Sequence, residues 1–179
     1  MFKTLYPFLI CLLFFSCSNP PSKEENTKEE KEYRRTVGDI VFDPTIDSSP
    51  TGFSPCNANY SYQYYKFESN GIKYKGEKPQ LVKEILDAYS PPEENLQSGY
   101  ITIRFVVNCK VKSGYFRMKQ IDTDYKPKEF SSAVGDQLKK IISNLRGWET
   151  KSSSKGRVYD YHQYLTFKIV DNQIKSIVP

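Results

Sequence analysis

Residues 100–108, Tyr-Ile-Thr-Ile-Arg-Phe-Val-Val-Asn, place Ile101, Ile103, Phe105 and Val107 at alternate positions, with Thr102 and Arg104 between them. A backbone of period two puts the first set on one face and the second on the other. The run is therefore expected to be a strand of a sheet that buries one face. The rest of the chain has to supply its neighbours and a cover for that face.

Both are found nearby. Lys112-Ser113-Gly114 carries turn chemistry, and residues 115–121 return with Phe116 and Met118 directed inward. Residues 159–169 form a long strand pattern in which Tyr159, Tyr161, Leu165, Phe167 and Ile169 share a face. Asp171-Asn172 then turns the chain into a last short strand over residues 174–178. Two stretches have helical period instead. In one, Pro79 sits in a first turn, Leu81, Val82, Ile85, Leu86 and Tyr89 share a face, and Pro91-Pro92 ends the run. In the other, Phe130, Val134, Leu138, Ile141, Ile142 and Leu145 share a face, and Gly147 is expected to cap the C-terminus. Residues 60–67 and 72–75 flank Asn70-Gly71, a turn pair that favours a hairpin. Strands and helices without a β-α-β repeat predict an α+β fold: an antiparallel sheet, two amphipathic helices packed on one face, and an N-terminal β-hairpin.

The start of the chain says where this domain works. Residues 5–15 are almost wholly apolar, follow the single cation Lys3, and lead into Ser16-Cys17. About 20 apolar residues are needed to span a bilayer as a helix, so this run suits a signal peptide. Phe14-Phe15-Ser16-Cys17 resembles a bacterial lipobox with Phe14 where leucine is usual. The expectation is a signal peptide over residues 1–16, cleavage before Cys17, and a lipid on that cysteine holding the protein to a membrane of the cell envelope, the outer membrane by preference. The alternatives are an uncleaved N-terminal anchor and secretion without lipid. Residues 18–35 mix serine, asparagine and proline with equal numbers of basic and acidic side chains. Such a stretch has too little apolar surface to offset the entropy of ordering. Together with Pro44, Pro50 and Pro55 it reads as a tether over residues 17–55, ahead of a folded domain over 56–179. A formal net charge of +5 is too mild to point to nucleic acid.

Four cysteines are present. Cys11 leaves with the signal peptide and Cys17 takes the lipid. Cys56 and Cys109 remain, an even pair in an exported protein, and a disulfide between them is expected. The alternative is two separate thiols. Two cysteines and the single histidine, His162, do not make a zinc spacing, so no metal or cofactor is expected. His162 lies mid-strand opposite Tyr161 and reads as a surface residue. Asp122 and Asp124 begin a calcium-like series that goes no further, which leaves a polar turn. No catalytic constellation is visible, and an enzyme is not expected.

Tyr89, Pro91-Pro92, Gly99, the strand at 101–108, Gly114, the strand at 115–121, the second helix, Trp148 and Tyr-Leu-Thr-Phe at 164–167 follow one another in an order that resembles the C-terminal domain of TonB. The resemblance is closer to the TonB-like domains of bacterial envelope lipoproteins and covers residues 72–170. Thr150 stands where that family often has proline, and a proline-rich spacer is lacking. The resemblance implies a fold and a manner of binding, not energy transduction. The expected function is a lipid-anchored module that engages another envelope or outer-membrane protein, or a peptide of it, by strand addition. The chain also has 14 tyrosines. Tyr60, Tyr62 and Tyr64, with Tyr159, Tyr161 and Tyr164, offer the alternative of an aromatic surface for a glycan.

Overall fold

The computed structural model describes residues 40–47, 52–57, 61–63 and 72–178. In chain order the elements are α1 (Pro44–Asp47), β1 (Ser61–Gln63), α2 (Glu77–Ala88), β2 (Gly99–Val107), β3 (Ser113–Ile121), α3 (Ser132–Asn144), β4 (Lys151–Ser152), β5 (Val158–Val170) and β6 (Gln173–Val178). The fold is α+β. The sheet has six strands in the order β1-β5-β2-β3, with β4 and β6 also on β5.

The alternating face of β2 is the floor of the core, as its pattern requires. Ile101, Ile103, Phe105 and Val107 are fully buried, beside Tyr161, Leu165, Phe167 and Ile169 of β5. Leu81 and Ile85 of α2 and Val134, Leu138 and Ile142 of α3 cover this floor in one continuous cluster. Trp148 closes one end, its ring 5.0 Å from Tyr74 and 5.1 Å from Phe105. Burial of these side chains is the dominant stabilising term, about 1.5–3 kcal/mol for each large one.

Several expectations need correction. The sheet is mixed, because β1 runs parallel to β5, with Ser61 beside Asp160 and Gln63 beside His162. The reason lies just upstream. The Asn57 N–H donates to Asp160 (3.0 Å), so the chain enters at the start of β5 and proceeds in the same direction. The turn of the expected N-terminal hairpin lies outside the described residues, and its described flanks pair elsewhere. Tyr74 bridges to Trp148, with the Lys75 N–H donating to the Gly147 carbonyl (2.7 Å) and the Glu149 N–H to the Lys73 carbonyl (2.9 Å). Gly147 is not the cap of α3, which ends at Leu145 in extended geometry. It is small because a Cβ there would fall 2.5 Å from the Tyr74 ring. His162 is buried, not exposed, because the sheet is covered on its second face too at this end, where Val106, Asp160 and Gln63 are also buried.

Residues 40–47 and 52–55, within the stretch read as a tether, make contacts with β3. Within residues 40–57, Phe42 and Phe53 pack on Tyr115, their ring centroids 5.7 and 4.9 Å away. Asp47 pairs with Arg117 (2.6 Å). Among the described residues no helix is long and apolar enough to cross a membrane.

Candidate functional site

Two backbone irregularities shape one corner of the molecule. Arg104 pairs with Arg117 but Val106 pairs with Gly114, so β3 carries one extra residue opposite Phe105. This is a β-bulge, which bends a strand and re-aims a side chain. The residue at the bulge is Tyr115, with φ of 55°. Val111, in the turn before β3, also has φ of 55°. Bulky and β-branched residues seldom adopt this left-handed region, and each instance costs about 1–3 kcal/mol. The turn itself is held by Asn108, whose Oδ1 accepts from the N–H groups of Lys110 and Lys112 (both 3.0 Å).

Tyr115 and Val111 lie on the floor of an open groove of about 760 Å³. One wall is the later part of α3, with Lys139, Lys140, Ser143 and Asn144. The other is the N-terminal segment, through Ile46, Asp47 and Phe53. Phe53 can approach because residue 114 is glycine: a Cβ there would lie 2.2 Å from the Phe53 ring. Asp47 is engaged with both terminal nitrogens of Arg117 (2.9 and 2.6 Å) and accepts from the Asp43 N–H (2.8 Å). The Arg117 bond, with smaller help from that N–H, holds its carboxyl below the usual carboxylate range. Lys112, Lys139, Lys140 and Arg146 surround the opening, and Asp136 is the remaining acidic group.

The groove adjoins a sheet edge. Among the described residues, β3 pairs with a strand only on its β2 side. On its other side the described backbone hydrogen bonds lie near its C-terminal end, with Pro127 opposite Ile121 and the Lys128 N–H on the Gln120 carbonyl (3.2 Å), while Phe42, Asp47 and Phe53 contact side chains nearer its start.

The residues anticipated from sequence are placed as follows. Cys56 and Cys109 are bonded, with Cα atoms 6.0 Å apart. Beside them the buried Asp160 accepts from the N–H groups of Asn57 (3.0 Å) and Cys109 (2.8 Å), and Asn108 Nδ2 donates to the Ser54 carbonyl (2.9 Å). Cys56, Cys109 and Asp160 are the only described grouping with metal-ligand spacing, and both sulfurs are in the disulfide. Cys17, Tyr60 and Tyr64 lie outside the described residues. Tyr62 and Tyr159 meet edge to face at 4.8 Å. Tyr161, placed by sequence on the possible glycan surface, belongs instead to the core, and its hydroxyl donates to the Glu149 carbonyl (2.9 Å). Burial drives its pKa upward. Tyr164 is half-buried on the opposite face of β5. The four described tyrosines therefore do not share one surface.

Sequence reasoning did not single out Phe53, Val111, Tyr115, Lys139 or Lys140. The short Gly114-Tyr115 pair was the one local hint, since a glycine beside an aromatic in a strand marks a bulge or a close approach. No family model matches the chain, and neither a curated protein nor a solved structure shows significant similarity to it.

Proposed function

We propose that this protein is a lipid-anchored binding module of the cell envelope, exported by residues 1–16 and held at Cys17, that engages an extended peptide of another envelope protein by strand addition along β3. One observation carries the binding half of this reading: among the described residues the start of β3 has a strand partner only in β2, and its Ser113–Phe116 stretch lines the groove beside α3. A sheet edge flanked by a helix can supply backbone hydrogen bonds for affinity and side-chain pockets for specificity. The resemblance to TonB-like domains points to the same manner of binding. Tyr161 is buried and Tyr164 lies on the other face of β5 from Tyr159, which leaves the glycan alternative without a common surface. The anchoring half rests on the apolar run ending at Ser16-Cys17.

Both halves can be tested in an expressing cell. Cys17→Ala is expected to abolish labelling by an acyl probe and to leave the precursor uncleaved; retained label would remove the anchor from the proposal. A photo-crosslinking residue at Lys119, exposed on the β3 edge, is expected to give a discrete adduct that the same residue at Leu86 on α2 does not. Equal adducts at both positions would mean that the edge is not the contact.

A further inference from the structure

We infer that the groove beside β3 takes an acidic peptide segment in which carboxylates alternate with apolar or aromatic side chains. This rests on the strand-addition reading and adds the chemistry of the ligand.

Charge is the first ground. Among the described residues, Lys112, Lys139 and Lys140 around the opening have no carboxylate within ion-pair distance. Arg146 is partly engaged, donating to the Ser143 and Leu145 carbonyls at the end of α3. Asp47 offsets these cations only in part, because it is bonded to Arg117 and acts through space on Lys139. Asp136 is the other acidic group of the lining. Unpartnered like charges around one concave opening raise the local concentration of the opposite sign. A basic ligand would meet repulsion from the α3 wall and from the turn before β3.

The floor is the second ground. It is apolar, built from Phe53, Val111, Tyr115 and Phe116 with Leu145 at one end. Two of these five hold left-handed backbone at the cost stated above, and Tyr115 is re-aimed by the bulge. Strain persists where surrounding structure over-determines it, and it gathers at ligand sites. Here the disulfide, Asn108 and the Phe53–Tyr115 contact do the over-determining. The third ground is periodicity. A strand added to β3 sends successive side chains to opposite sides, so alternate residues meet the apolar floor and the others meet the lysines.

The test is selection of random peptides on the immobilised full chain, followed by affinity measurement of those enriched. Acidic peptides with alternating apolar residues are expected. Lys140→Glu, and more strongly Lys139→Gln/Lys140→Glu, should weaken them about tenfold, as removal or reversal of exposed charges allows. Lys139 is changed only to glutamine because its charge also faces Asp47. Raising salt should weaken them further. The same peptides N-methylated at alternate residues keep their side chains but lose backbone donors, and should also bind about tenfold more weakly. Basic or uncharged peptides that ignore the lysine variants but fail when N-methylated would overturn the acidic class and leave strand addition standing. Acidic peptides that fail with the lysine variants but ignore N-methylation would leave the ligand class and overturn strand addition. Self-association abolished by the lysine variants would assign the groove to a second copy. No enrichment over a bare surface would overturn both readings.

Discussion

Lys151 shows how one residue can carry a cost visible only in the folded state. It is 5% exposed, with its ammonium 5.1 Å from the centre of the Tyr161 ring. Burial, aided by the charge of Lys73, lowers its pKa to about 8. An unfolded lysine titrates near 10.4, so between these values the unfolded chain binds more protons than the folded one. Stability should then rise with pH through the folded pKa, by about 1 kcal/mol between pH 7 and 9. Tyr74, pushed up to about 12 mainly by burial, does not titrate in that window. Urea unfolding across this range is expected to show the rise, and Lys151→Met should flatten it. A variant with the same slope as the parent would place the effect elsewhere. Nothing in the local spacing singles out Lys151. Its burial follows from the pairing of β4 with Tyr159 and Val158.

At the scale of elements, the β5–β6 turn is the clearest case of local chemistry extended by tertiary contact. Asp171 and Asn172 have φ of 49° and 61°, the two positive values of a type I′ hairpin turn. That turn is readable from the dipeptide. What it also holds is not. The Asn172 side chain is fully buried, donating to the carbonyls of Pro92 (3.0 Å) and Glu94 (3.1 Å) and accepting from the Gln97 N–H (2.9 Å). Its own carbonyl accepts from the Tyr89 hydroxyl (2.6 Å). One side chain thus ties the loop between α2 and β2 to the far end of the sheet. Asn172→Ala should cost about 2–4 kcal/mol, since it strands buried backbone groups and puts at positive φ a residue that tolerates it less well than asparagine. Asn172→Gly should lose less, by about 1 kcal/mol, because only the hydrogen bonds go. Equal losses in chemical denaturation would mean that the φ requirement contributes nothing.

For the whole molecule, the disulfide decides where the folded part starts to be held. It joins residues 53 apart in sequence and brings the 52–57 segment to the β2–β3 turn, where Phe53 then reaches Gly114. In the chain-entropy account a loop of this size is worth about 4 kcal/mol. Cys56→Ser is therefore expected to lower stability by up to that amount. It should also speed amide exchange first in residues 52–57 and in the Asn108–Lys112 turn. The α2–β2 loop is held by Asn172, so it should be unaffected; if it exchanged first, the disulfide would not be what restrains this corner. Loss of the restraint should loosen the groove floor as well, because Tyr115 is packed by Phe42 and Phe53 from that same segment.

The amino-acid pattern by itself determined the α+β class, the position of α2, β2, β3, α3 and β5, and most of their inward residues; Leu86, expected on the inward face of α2, is exposed. These follow from periodicity and turn chemistry, which act between neighbours along the chain. Cys56 and Cys109 were also readable as a pair, by elimination among the cysteines. The parallel placement of β1, the close approach of Tyr74 to Gly147, the burial of His162, and the docking of Phe42, Asp47 and Phe53 on β3 were decided only in the tertiary structure. The groove belongs to this second group. Its floor and rim come from Ile46, Asp47 and Phe53, from residues 111–116 and from the 136–146 stretch, which no local period connects. They meet because a disulfide, an ion pair and a bulge in β3 bring distant segments to one corner, and interactions of that range leave no signature in the spacing of residues along the chain.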